Sequence, residues 1–230
     1  MIKLDYVPAT NYKIYQDDLN FKYTTDSLIL SSFAKPKGVC IDLGCGSGIL
    51  SLRMIDKSEK FINIDANEEA ISLLNKSVEI NGLENKIQNY IWDVGAIDEI
   101  VERNSIDTVL TNPPYYKDGL RVDNERYDKA RYSENLEIFV EAASYALKDL
   151  GRFYMVISAG RMIDAFEILV SKRIEPKRIR FVKKNAYSLP KLILIEGVKY
   201  AKRGFFFERD FLLTESDDMS EDLREVYRSV

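Results

Sequence analysis

Seven residues, Asp42-Leu43-Gly44-Cys45-Gly46-Ser47-Gly48, constrain this chain more than any other segment. They follow the apolar run Val39-Cys40-Ile41 and precede residues 49–55, which read as a helix. Glycines at alternate positions let a backbone turn tightly and approach a ligand with no Cβ in the way. Such a turn belongs at the carboxyl end of a strand in an α/β layer protein.

The rest of the chain continues the alternation. Phe61-Ile62-Asn63-Ile64-Asp65 is a second strand, and 68–81 is a helix with Ala70, Ile71, Leu74 and Val78 on one face and Asn81-Gly82 as its stop. A third strand, 87–92, ends at Asp93, and a fourth, 106–110, runs into Thr111-Asn112-Pro113-Pro114. Two consecutive prolines cannot continue a central strand, so the chain leaves the sheet there. Mixed charges around Gly119 predict a loop over 117–133, followed by a helix over 136–147, a strand over 152–157 after Gly151 and a helix over 161–170. Residues 192–195 and 204–213 are expected to pair antiparallel at one sheet edge, and the tail after Thr214 to form a short, loosely attached helix. The expected fold is α/β, with a mostly parallel central sheet, an antiparallel edge hairpin and helices on both faces. Its expected division is a short amino-terminal extension (1–35), the main domain (36–214) and an acidic tail (215–230).

Composition narrows the chemistry. The chain has no histidine, which removes Ser-His and Cys-His nucleophiles and histidine metal ligands. Two cysteines, Cys40 and Cys45, are too few and too close for a disulfide framework. Apolar runs fall short of the roughly 20 residues of a membrane helix, and the amino terminus lacks signal-peptide character. A cytoplasmic monomer without metal or membrane contact is expected.

Asp65 lies 21 residues after Gly44, at the end of the next strand, where a carboxylate can accept both hydroxyls of a ribose. Asp93 ends the third strand, placed to meet an adenine amino group, with Trp92 or Val94 beside the ring. Three acids ending three successive strands point to an adenosine-bearing cofactor held by Asp42, Gly44, Cys45, Gly46, Gly48, Asp65, Ala66 and Asp93. A dinucleotide dehydrogenase normally carries G-x-G-x-x-G, whereas this turn is G-x-G-x-G. The reading is therefore a methyl donor, S-adenosyl-L-methionine.

Asn112-Pro113-Pro114-Tyr115 opens into the same crevice as the glycine turn and reads as the acceptor site. An aromatic amine or carboxamide nitrogen is a poor nucleophile because its lone pair is delocalised. The Asn112 side-chain oxygen and the Pro113 carbonyl can accept its two N–H groups and favour a pyramidal nitrogen. The prolines fix the backbone, and Tyr115 offers a flat face for stacking. Positioning and directed dipoles then carry the rate without a strong base.

At these residues the chain resembles the amino methyltransferases with an Asn-Pro-Pro-Tyr motif, and within them the bacterial tRNA1(Val) (adenine-37-N6)-methyltransferases. The resemblance runs from about Tyr23 to Phe211 and includes Thr25-Asp26-Ser27-Leu28-Ile29-Leu30 and Ala130-Arg131. Tyr116 and Tyr132 depart from the phenylalanine and histidine often found there. The resemblance implies a Rossmann-like class I methyltransferase fold and methylation of the N6 amine of an adenine in tRNA. It also implies that Thr25 and Asp26 border the methionine end of the cofactor, and Asn112 is expected among the cofactor contacts as well. Alternatives are an N5-glutamine methyltransferase acting on a peptide-release factor, whose relatives carry a larger helical domain ahead of the glycine turn, and an rRNA amino methyltransferase.

Charge favours RNA. Between Lys172 and Arg203 stand eleven Lys/Arg against two acids, in a chain whose net charge is −4. Arg178, Lys183, Lys184, Lys199, Lys202 and Arg203 are the expected phosphate contacts on an otherwise acidic body.

Overall fold

A computed structural model describes residues 1–17, 22–113, 125–216 and 218–228, and the backbone alone for 125–135. Its element order is β1 (Ile2–Tyr6), β2 (Lys13–Asp17), α1 (Thr25–Phe33), β3 (Val39–Leu43), α2 (Ile49–Met54), β4 (Lys60–Asp65), α3 (Glu68–Ile80), β5 (Ile87–Ile91) and β6 (Ile106–Thr111). There follow α4 (Glu125–Ala146), β7 (Leu147–Ser158), α5 (Met162–Ser171), β8 (Ile174–Lys183), β9 (Pro190–Lys199), β10 (Phe206–Phe207), β11 (Phe211–Leu212) and α6 (Glu221–Tyr227).

Among the described residues the main sheet runs β10–β8–β9–β7–β6–β3–β4–β5, with β11 also on β8. β5, β4, β3, β6 and β7 are mutually parallel, whereas β9 is antiparallel to both β7 and β8. The expected mostly parallel sheet with an antiparallel hairpin is therefore present. Both faces are covered, as a parallel sheet requires. Along β7 Tyr154 and Val156 enter one core with α1, α2 and α3, while Phe153, Met155 and Ile157 enter the other with α4 and α5. That period of two is the strand geometry itself.

α3 shows how local sequence sets an element. Asn67 caps it by accepting from the Ala70 amide at 3.0 Å, and Ala70, Ile71, Leu74 and Val78 are buried. The β1–β2 hairpin lies against this helix, with the Tyr15 amide donating to Ser77 Oγ at 2.9 Å and Ile14 fully buried.

Three expectations are corrected. Residues 125–133 belong to α4 rather than to a loop. Their Glu, Arg, Lys and Ala favour a helix by propensity, although their charges hide the apolar periodicity that a pattern search reads. The long strand beside β9 is β8, not 204–213, which contributes only β10 and β11. A register shift between Pro176 and Arg178 breaks the alternation of β8 and disguises it as a charge run. The tail is firmly docked: Asp222 is 5% exposed and accepts from Arg180 at 3.0 Å and Arg209 at 2.7 Å, and the Val226 carbonyl accepts from Arg53.

Removing one member of a buried ion-pair cluster leaves the others uncompensated. Asp222→Ala is expected to destabilise the fold by about 2–4 kcal/mol, read from urea unfolding, by stranding Arg180 in the interior.

Candidate active site

β3 and β6 are adjacent and in register, Leu43 opposite Thr111, and Thr111 Oγ1 donates to the Leu43 carbonyl at 2.9 Å. Gly44 and Asn112 therefore leave the sheet side by side, about one strand spacing (~4.8 Å) apart. From β3 the chain order proceeds outward through β4 and β5 on one side, while β6 and β7 lie on the other. Where the order reverses, the loops part and leave a crevice at the strand ends.

The glycine turn forms one wall. The amides of Gly44 and Cys45 both donate to the Ile64 carbonyl, at 2.8 and 3.2 Å, holding the turn against the end of β4. Gly48 has φ +75°, and a Cβ there would lie 2.2 Å from Leu74 Cδ1, so only glycine lets α2 start against α3. Gly46 has φ +51° and a Cβ there would meet nothing within 4 Å, so its backbone borders open space. The Gly46 amide donates to Asp65 Oδ2 at 2.8 Å, and the Asn67 amide donates to Oδ1 at 2.9 Å. Asp65 thus ties two loops together while each carboxylate oxygen keeps acceptor capacity. Ala66 beside it is exposed.

Asp42 is the anomaly. It is 1% exposed, and among the described residues neither carboxylate oxygen has a hydrogen-bond partner. Burial, with a smaller contribution from the charge on Asp65, pushes its carboxyl up to about 8. Burial likewise raises the Cys45 thiol well above its ordinary value. Asp93 is exposed at the end of β5, its Oδ1 accepting from the Gly95 amide at 2.7 Å. Trp92 is half-buried with Nε1 donating to the Ala96 carbonyl at 2.9 Å, and Val94 is buried in the core.

Opposite stands the amino terminus of α1. Thr25 is exposed, and Asp26 is half-buried with its carboxyl raised by burial. Asn112 Nδ2 donates to Ser27 Oγ at 2.9 Å and makes a longer contact, 3.5 Å, with Thr24 Oγ1. That leaves Asn112 Oδ1 buried and without a hydrogen-bond partner among the described residues. Pro113 is buried. Pro114 and Tyr115 lie outside the described residues, as does Tyr116. The sequence reading overlooked Ser27; it stood within the quoted Thr25–Leu30 segment, but a contact spanning 85 residues leaves no local pattern.

The expected phosphate contacts divide. Arg178 is taken up inside the fold, donating to Glu196, Glu208 and the Phe33 carbonyl with its guanidinium 3.9 Å from the Phe33 ring centroid. Lys199 is 2% exposed and donates to Asn104 Oδ1 and to the Ser144 and Leu147 carbonyls. The expectation of phosphate contact is corrected for both, because neither charge faces solvent. Lys183 pairs with Asp210 at 2.5 Å, whereas Lys184, Lys202 and Arg203 are exposed. Among the described residues no cluster of three or more metal-ligating side chains occurs, and no helix is long and apolar enough to cross a membrane.

Comparison with known proteins places this geometry. The family model described as "Methyltransferase small domain" matches residues 23–171. A tRNA1(Val) (adenine(37)-N6)-methyltransferase from Christiangramia forsetii is 28% identical over 200 residues, 80% of this chain and 80% of its own. A protein of the same name from Haemophilus influenzae is 29% identical over 64% of this chain and 65% of its own length, just under two thirds. A crystal structure titled as a predicted O-methyltransferase from Agrobacterium tumefaciens superposes with a TM-score of 0.69 over 89% of this chain and 98% of that one. At 16% identity that likeness concerns the fold alone.

Because the carboxyl of Asp42 titrates near 8 when folded and near 4 when unfolded, burial favours its protonated form. Its contribution is fully present below the unfolded pKa and is lost as pH rises through 8. Asp42→Asn is therefore expected to raise the melting temperature of the ligand-free protein by about 3–8 °C at pH 8, the gain shrinking toward pH 4, in parallel thermal scans.

Proposed function

The chain belongs to the methyltransferase small-domain family, and on that premise we propose that it methylates the N6 amine of an adenine in tRNA, with position 37 of tRNA1(Val) as the target. S-adenosylmethionine is the methyl donor. The cleft residues suit it: the Asp65 carboxylate keeps acceptor capacity for the ribose hydroxyls, and Gly46 presents backbone to open space. The Asp42 carboxyl, which burial keeps protonated in the ligand-free fold, would ionise beside a ligand bearing an ammonium and a sulfonium and so serve as its counter-charge. We assign Asp93, Ala66, Thr25 and Asp26 to the cofactor set together with Gly44, Cys45 and Gly48. When bound, the donor supplies a methyl group on a positively charged sulfur that leaves as a neutral thioether.

The single observation that carries the acceptor assignment is the unpaired, buried Oδ1 of Asn112 beside the glycine turn. Ser27 engages the NH2 of the amide, which reserves the oxygen as the acceptor for an incoming N–H. An exocyclic amine donating to Asn112 loses conjugation with its ring and directs its lone pair at the methyl carbon. With the donor bound, the nitrogen would take its methyl group while the C–S electron pair would remain on sulfur, and the nitrogen would give up one N–H proton to water. The arrangement stabilises charge developing on nitrogen through a fixed dipole, so no histidine base is required. Pro113, Pro114 and Tyr115 complete the proposed acceptor motif. A carboxamide nitrogen could enter the same site, so a release-factor glutamine is the competing acceptor; the names of the sequence relatives and the cationic stretch favour tRNA.

The deciding assay is transfer of labelled methyl from S-adenosylmethionine to total tRNA, followed by nucleoside mass spectrometry. N6-methyladenosine is expected, and label in release factor with none in tRNA would refute the substrate. Asn112→Ala is expected to lower kcat by about 100-fold or more while cofactor affinity stays within about twofold. Ser27→Ala should lower kcat about tenfold at unchanged KM for tRNA, and Ser27→Thr should recover most of it. A change confined to KM would show that Ser27 does not orient the amide.

A further inference from the structure

The sheet register divides the cationic stretch between two ends of the molecule. β8 is antiparallel to β9, which is antiparallel to β7, so β8 ends on the same edge as β7, β6 and β3. Lys183 pairs with Pro190 at that edge, and Ser158 with Leu192. Residues 184–189, which join β8 to β9, therefore project from the edge that carries Gly44 and Asn112. Lys199 instead pairs with Ile174 at the opposite edge, where Lys202 and Arg203 follow.

We propose that the tip of the β8–β9 hairpin docks RNA flanking the target base, with Tyr187 as its stacking platform; this rests on the tRNA reading above. Tyr187 is 99% exposed and Leu189 86%, two large apolar surfaces displayed to water with no fold-related reason. The tip is held in shape: Asn185 Oδ1 accepts from the Tyr187 amide at 3.1 Å and from Ser188 Oγ at 2.8 Å. Tyr187 is thus presented from a bonded turn, which lowers the ordering cost of binding. Lys184 and Lys191 flank it, both exposed and without an ion pair among the described residues. An exposed aromatic ring between lysines suits a single-stranded nucleic acid, the ring stacking on a base and the ammonium groups meeting phosphates.

Direction follows from the neighbours. The Thr214 amide donates to the Lys184 carbonyl at 2.8 Å, which sets the exposed Glu215 along the outer side of the tip, with Asp218 nearby already paired to Arg224. A polyanion is repelled there and drawn inward, toward Asn112. β9 and β8 stand two and three strands from β6, which is about 10–15 Å at ~4.8 Å per strand. Three or four stacked nucleotides, at roughly 3.4 Å each, span that distance.

The test is steady-state methyl transfer by the full chain with S-adenosylmethionine and a transcribed tRNA. Tyr187→Ala should raise KM for tRNA about tenfold, with kcat, cofactor affinity and melting temperature unchanged, and Tyr187→Phe should behave as the parent. Lys184→Glu with Lys191→Glu should also raise KM and flatten its salt dependence, whereas Lys202→Glu with Arg203→Glu, at the far edge, should leave KM within about twofold. A parent protein that methylates tRNA while Tyr187→Ala keeps its KM within about twofold overturns the docking proposal alone. A parent that methylates a protein and not tRNA overturns the substrate reading and the docking proposal with it.

Discussion

The pairing of β3 with β6 holds the site together. These two strands are separated by 62 residues between Leu43 and Ile106, yet they lie side by side with Leu43 opposite Thr111. The threonine hydroxyl closes the pair by donating to the Leu43 carbonyl. A slip of one residue would turn Thr111 away from that carbonyl and move Asn112 off the glycine turn. Burial on both faces prevents such a slip, because every side chain of β6 from Thr108 to Thr111 is packed in the interior. Chemistry at the crevice thus inherits its precision from hydrophobic packing some distance beneath it.

Two polar groups at this edge are left in a costly state. Both oxygens of Asp42 and the Oδ1 of Asn112 are buried without partners among the described residues, whereas Thr111, buried on the neighbouring strand, donates to the Leu43 carbonyl. Burying such groups disfavours the ligand-free fold, and a ligand that supplies the missing partners recovers the difference. Stability is thereby exchanged for affinity at the places where a positively charged donor and an amine acceptor would sit.

Charge tells a different story from the one composition suggests. The cationic stretch reads as one footprint in the sequence, but its members have three fates. Arg178, Arg180 and Lys199 neutralise or cap buried groups and hold the antiparallel hairpin and the tail in place. Lys202 and Arg203 follow Lys199 at the opposite edge of the sheet, while the hairpin tip lies at the edge that carries Gly44 and Asn112. Counting charges therefore overstates the surface available to a polyanion.

The glycine turn and the acid that ends the next strand were legible in the sequence because each is local: alternate glycines after an apolar run, and Asp65 closing the following run. These depend on φ angles and short-range hydrogen bonds, which neighbouring residues dictate. Asn-Pro-Pro was legible for the same reason, since proline ends a strand wherever it stands. What sequence could not supply was every relation that crosses the sheet. Ser27 meets Asn112, Lys199 vanishes into the interior, and a bulge hides β8, because strand order and register arise from packing two hydrophobic faces at once rather than from any local rule.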